Sequence, residues 1–142
     1  MDITIVPPEN TEEVWPVVEP MIKSALALLN GRYSSVDIFI AIKSGEQTLW
    51  VAFDEDKKVK GCCTVEIVQY PGMKCCNINV IAGEGVNDWL EDSFKLISKY
   101  AKEYGCERME GMGRPGWIKP LKKLGWVSTA MKFDFLLTDG DE

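Results

Sequence analysis

Apolar positions along the chain change their period several times, and each change marks an element. Residues 3 to 7 (Ile3-Thr4-Ile5-Val6-Pro7) alternate weakly and stop at Pro7-Pro8, which predicts a short first strand closed by prolines that cannot extend a ladder. Asn10 or Thr11 then stands at a helix N-cap, with Glu12 and Glu13 in the first turn where the dipole favours negative charge. Val14, Val18, Met21, Ile22, Ala25 and Leu29 recur every three or four residues up to a stop at Asn30-Gly31. This is one amphipathic helix, kinked by Pro16 and Pro20. Ser34-Ser35 caps a second, shorter helix through Ile38, Phe39 and Ile42 to Ser44-Gly45, although Ile38 to Ile42 also fits a strand.

Three strand patterns follow, Thr48 to Phe53, Lys57 to Tyr70 and Lys74 to Ala82, separated by Asp54-Glu55-Asp56 and Pro71-Gly72. They predict an antiparallel meander. If Tyr70-Pro71-Gly72-Met73 is a tight turn, Val65 faces Ile78, Ile67 faces Cys76 and Cys63 faces Val80 on an apolar side. The other side then pairs Thr64 with Asn79 and Glu66 with Asn77. A third helix runs from about Asn87 to Tyr104, with Trp89, Leu90, Phe94, Ile97 and Ala101 on one side and lysines toward its end. Cys106 to Gly111 predicts a short strand. Gly113-Arg114-Pro115-Gly116 leads into a short helix ending at Leu124-Gly125. Val127, Thr129, Met131, Phe133, Phe135 and Leu137 alternate as a long final strand before an acidic tail over 138–142.

The order β-α-α-β-β-β-α-β-α-β predicts one α/β domain over residues 1–142. Its sheet is mixed, mostly antiparallel and twisted, with helices on both faces. The 142 residues suffice for a core without disulfide or metal staples.

Charge and composition narrow the chemistry. Sixteen basic against twenty-two acidic residues give a net charge of -6, which disfavours a phosphate backbone or an anionic membrane as partner. The chain has no histidine, so Ser-His-Asp and Cys-His nucleophiles and His-ligated zinc are excluded. No stretch approaches ~18 consecutive apolar residues and the N-terminus has no leader pattern, so the expectation is a cytoplasmic protein. Five cysteines, an odd number, fit a reducing compartment. Cys62-Cys63 and Cys75-Cys76 lie far apart along the hairpin, and neighbours on a strand point to opposite faces, so they read as apolar fillers and no metal is expected.

The element order, together with Leu121-Lys122-Lys123-Leu124-Gly125-Trp126 after the last turn, resembles the GNAT acyltransferases. Trp15-Pro16 to Ala25, Ile67-Val68-Gln69-Tyr70-Pro71 and the run from Arg108-Met109-Glu110 to Gly113-Arg114-Pro115-Gly116-Trp117 resemble the short GNAT-like proteins of tailed phages and prophages. The resemblance implies acetyl-CoA as acyl donor, held by backbone groups of Gly83, Gly85, Val86 and Asn87 at the start of the third helix. In the family this turn reads Gln or Arg, two residues, Gly, one residue, then Gly or Ala. Here Gly85 matches, whereas Ala82 and Asn87 depart from the pattern, and Glu84 and Asp88 add negative charge. The polar face of the hairpin makes Glu66 the candidate general base for the amine acylation the resemblance implies, with Thr64, Asn77, Asn79 and Trp50 against the acyl acceptor; the same face also fits one solvated side of an antiparallel hairpin. Leu121 stands where family members often carry a tyrosine acid. Arg114, before a proline and among glycines, could meet a phosphate or an acidic partner. Alongside the enzyme stands a second expectation, a catalytically silent protein of this fold with a protein partner in a phage particle or a host.

Overall fold

A computed structural model of the chain describes residues 1–27 and 31–138. They form two compact units, residues 1–112 and the segment from Gly113 on. The first contains β1 (Asp2–Val6), a 3-10 turn (Pro8–Asn10), α1 (Thr11–Leu26), α2 (Ser35–Ser44), β2 (Thr48–Phe53), β3 (Val59–Gln69), β4 (Lys74–Gly83), α3 (Val86–Glu103) and β5 (Arg108–Glu110). The second contains a 3-10 turn (Pro115–Trp117) and α4 (Ile118–Lys123). Among the described residues no helix is long and apolar enough to cross a membrane.

The local signals act as their chemistry dictates. α2 is a helix and not a strand because Ser34 and Asp37 close a capping box and Gly45 ends it at φ 84. α1 runs through Pro16 and Pro20 as one helix. Asn10 occupies its N-cap without a side-chain cap bond, and Thr11 instead donates to the Pro8 carbonyl at 2.8 Å. The expected stop at Asn30 lies outside the described residues.

One sheet in the order β1-β2-β3-β4-β5 organises the first unit. Its first three pairings are antiparallel, and β4 pairs with β5 in parallel after the α3 crossover. α1 and α2 bury Val18, Ile22, Leu26, Ile38 and Ile42 against Leu49, Val51, Cys62, Val80 and Ala82 of one sheet face. On α3 the buried side carries Trp89, Leu90, Phe94, Ile97 and Ala101. Each large apolar side chain hidden in this way contributes about 1.5–3 kcal/mol.

Near its turn the β3–β4 hairpin has the expected register, with Glu66 opposite Asn77, Val65 opposite Ile78 and Ile67 opposite Cys76. Farther from the turn the expectation fails. Thr64 faces Val80 and Cys63 faces Ile81, because the register shifts between Thr64 and Val65. Asn79 is the extra residue of that bulge, which turns Val80 and Ala82 toward α1 and α2.

The expected final strand is also corrected. Residues 127–138 contain no strand, and Val127, Met131, Phe133, Phe135 and Leu137 are exposed. Alternation supplies only the side-chain pattern of a strand. Its backbone groups need a neighbouring ladder, and the described residues of the second unit contain no strand.

Candidate functional site

The centre of the sheet carries a row of polar side chains on the face shared with α1 and α2. Cys62, in the core beneath those helices, and Thr64 and Glu66 alternate onto this face of β3. Asn77 lies opposite Glu66 and is paired on its other side with Glu110 of β5. Asn79, displaced by the bulge, donates through Nδ2 to Glu66 Oε1 at 3.1 Å. Asn77 Nδ2 donates in turn to Asn79 Oδ1. Across the row, the Tyr70 hydroxyl donates to Glu110 Oε1 at 2.9 Å. That bond holds the Tyr70 phenol above its ordinary pKa, so it remains a donor.

Glu66, Asn77, Asn79 and Glu110 are half-buried. The ion pairs of the described residues lie elsewhere, and neither glutamate takes part in one. Gln47 lies in the bend between α2 and β2, its N–H donating to the Ala41 carbonyl at 3.0 Å. Gln47 is 5% exposed and Thr64 0%, and Gln47 Oε1 and Thr64 Oγ1 have no hydrogen-bond partner.

Glu66, Asn79 and Asn77 are linked by hydrogen bonds, and Thr64 lies two residues from Glu66 on the same strand, facing Val80 and not Asn79 as expected. The structure does not bring Trp50 to them. Its ring packs edge-on against Tyr100 of α3 at 5.3 Å between centroids, and its Nε1 donates to Thr48 Oγ1 at 2.9 Å. Tyr104 continues that stack at 4.6 Å from Tyr100, so both tyrosines are packing residues. Glu110 and Tyr70 complete the row, and sequence reading did not place them there. The parallel register that seats Glu110 has no turn to announce it.

β4 is paired with β5 only from Cys75 to Asn77, while β4 itself continues to Gly83. At the end of β4 the chain turns through Gly83 at φ 125 and Gly85 at φ 61 into α3. A Cβ on Gly83 would overlap Gly61 and the Lys60 carbonyl, so this glycine is required by strand packing. Gly85 is the N-cap of α3 and supplies no side-chain cap, leaving backbone N–H groups of Val86 and Asn87 at the helix start. Glu84 is tied back by Lys60, with Nζ 3.4 Å from its carboxylate, and its carbonyl accepts from Trp89 Nε1 at 3.0 Å. Asp88 stays beside Gly85, where a Cβ would meet its Oδ2 at 3.1 Å. The uncapped eighteen-residue helix and its glycine turn fit a pyrophosphate, with Asp88 as the opposing charge.

The thiols are chemically quiet. All five are free. Burial pushes Cys62 and Cys76 up to about 12 and Cys63 higher still. Among the described residues no group of three or more Cys, Asp or Glu is placed to hold a metal. Leu121 and Arg114 lie in the second unit, Leu121 in α4 and Arg114 before its 3-10 turn.

No protein-family model matches the sequence, and no curated protein matches it. Solved structures do match. A probable acetyltransferase is 15% identical, with all of both chains covered and a TM-score of 0.72. Glucosamine-6-phosphate N-acetyltransferase from Arabidopsis thaliana is 13% identical over 96% of this chain and 98% of that one, with a TM-score of 0.66. An aminoglycoside acetyltransferase from an uncultured soil metagenomic sample is 10% identical over 96% and 98%, with a TM-score of 0.72. The mixed five-stranded sheet and its helices thus have the fold of the GNAT acetyltransferases.

Proposed function

We propose that this chain is an acyl-CoA-dependent N-acyltransferase domain of the GNAT type. The observation that carries the reading is Glu66, a half-buried carboxylate on the middle strand of a sheet of this fold, oriented by Asn79 and in no ion pair among the described residues. An ammonium ion has no lone pair with which to attack a carbonyl, so the acceptor needs a base. Glu66 takes a proton from the acceptor ammonium so that its nitrogen can attack; as the C–N bond forms and the C–S bond breaks, the second proton leaves the nitrogen to solvent. Asn79 keeps one carboxylate oxygen engaged and leaves the other for the first of these protons. Backbone groups of Gly85, Val86 and Asn87 would hold the pyrophosphate of the coenzyme, whose acyl thioester would supply the group transferred. With Leu121 in place of a tyrosine, solvent protonates the departing thiolate.

Titration of the chain with acetyl-CoA in a calorimeter, followed by acetyl transfer to a panel of amines, tests this reading. Glu66→Gln should lower kcat by about 10²–10⁴-fold, the range of a general base, while leaving acetyl-CoA affinity unchanged. Transfer that survives the substitution at full rate overturns the assignment of Glu66.

A second reading is a silent protein of the same fold that serves as a phage virion, assembly or host-interaction component. Asp88 beside Gly85, together with Ala82, Asn87 and Leu121, favours it. Failure to bind acetyl-CoA, combined with detection of the chain by mass spectrometry in purified particles, would establish it.

A further inference from the structure

At the end of the sheet remote from Glu66 the apolar core is open to solvent. There β1, the first turn of α1 and the β2–β3 hairpin enclose a cavity of about 340 Å³, within the range of small-ligand pockets. We propose that this cavity binds a free α-amino acid with an apolar side chain. Its carboxylate lies at Lys57, its ammonium at Glu13 and its side chain on Val14, Phe53 and Val59. The site is independent of the acyltransferase reading.

The floor of the cavity is part of the core. Val51 belongs to the cluster buried beneath α1 and α2, and Val14, Phe53 and Val59 pack against that cluster while staying half-buried. Apolar surface that remains wet in the folded chain gains its transfer free energy only when something covers it.

The rim supplies two opposite charges. Lys57 and Glu13 line the same cavity, and among the described residues neither enters an ion pair, with the other or with any third group. Their neighbours are engaged by contrast, Glu12 by Lys43 at 2.8 Å and Lys60 by Asp54 and Glu84. Lys57 is held at φ 63, a conformation that favours glycine, so the position keeps a lysine at a conformational cost. Its N–H closes the turn on the Asp54 carbonyl at 3.0 Å, and its Nζ lies 5.2 Å from the centre of the Phe53 ring, above the floor. A carboxylate meeting this ammonium therefore has its apolar arm beside Phe53. A monocarboxylate would set its charge against Glu13, and a monoamine would set its charge against Lys57. A zwitterion answers both.

The site is not the place of acyl transfer proposed above. Val59 and Glu66 are seven residues apart on β3, about 23 Å along an extended strand, beyond the reach of one amino acid.

The test is calorimetric titration of the full chain with L-leucine and L-phenylalanine. Three truncated probes accompany them: 4-methylpentanoate, which lacks leucine's ammonium, 3-methylbutylamine, which lacks its carboxylate, and glycine, which lacks its side chain. Leucine should bind at least about ten-fold more tightly than each truncated probe, the scale of one charged hydrogen bond. Lys57→Gly suits the left-handed backbone and should lower leucine affinity to that of 3-methylbutylamine, whose own affinity stays unchanged. Glu13→Gln should lower it to that of 4-methylpentanoate. No binding of either amino acid, leucine binding no tighter than its truncated analogues, or affinity unmoved by Lys57→Gly overturns the inference. Leucine binding that survives Lys57→Gly and is lost in Glu66→Gln would place the amino acid at the polar row and overturn it as well. Acetyl transfer is read separately, so failure here leaves the acyltransferase reading standing.

Discussion

The indole of Trp89, in the first turn of α3, lies where a Cβ on Gly61 of β3 would be. Trp89 is 1% exposed and its Nε1 donates to the Glu84 carbonyl, so one side chain fastens the start of α3 to the sheet and to the glycine turn. The turn proposed to hold a pyrophosphate is therefore positioned by a contact between residues twenty-eight apart in sequence, each replaceable only at a cost.

Gly61→Ala should destabilise the chain by about 1–3 kcal/mol, because the added methyl can be seated only by displacing Trp89 or the backbone. Urea unfolding gives the free energy, and the tryptophan emission should change with it. Loss below about 0.5 kcal/mol would show that Trp89 yields freely.

Phe94 lies on the buried side of α3 with Ile97 and Ala101. Phe94→Ala should cost about 3–5 kcal/mol, the sum of lost transfer energy and a cavity. Chemical denaturation checks it, and a change under about 1 kcal/mol would place this side of α3 outside the core.

Thiol reactivity should divide the cysteines. Burial raises the pKa of all five thiols, but Cys106 is half-buried, whereas Cys62, Cys63, Cys75 and Cys76 are buried. An aromatic disulfide reagent at pH 8 should label one thiol quickly and the remaining four only on unfolding. Fast labelling of the hairpin pairs would contradict the packing of β3 and β4.

The capping box makes α2 acid-sensitive. The Ser34 backbone N–H and hydroxyl hold Asp37 below its ordinary pKa. A depressed carboxyl contributes stability above its unfolded value and loses it as the pH falls through the folded one. Ser34→Ala should therefore cost about 1 kcal/mol at neutral pH. The deficit of Asp37→Asn relative to the unmodified chain should shrink as the pH is lowered below about 4, measured by urea unfolding at each pH. A deficit independent of pH would remove the carboxylate from the cap.

What the sequence determined was whatever neighbouring residues decide among themselves. Ser34, Asp37 and Gly45 specify α2 from within a dozen residues. Pro71-Gly72 pins the hairpin, so Glu66 and Asn77, near the turn, could be paired on paper. Beyond the bulge that arithmetic no longer held, because one inserted residue at Asn79 reverses which side chains of β4 reach the core. The rest depended on partners remote in sequence. Trp50 belongs to the α3 face because Tyr100 receives it there, and Glu110 joins Glu66 through a parallel ladder that no turn links to it. The segment from Val127 to Leu137 alternates as a strand would, but apolar period fixes which side chains share a face and not whether another strand is present to satisfy the backbone.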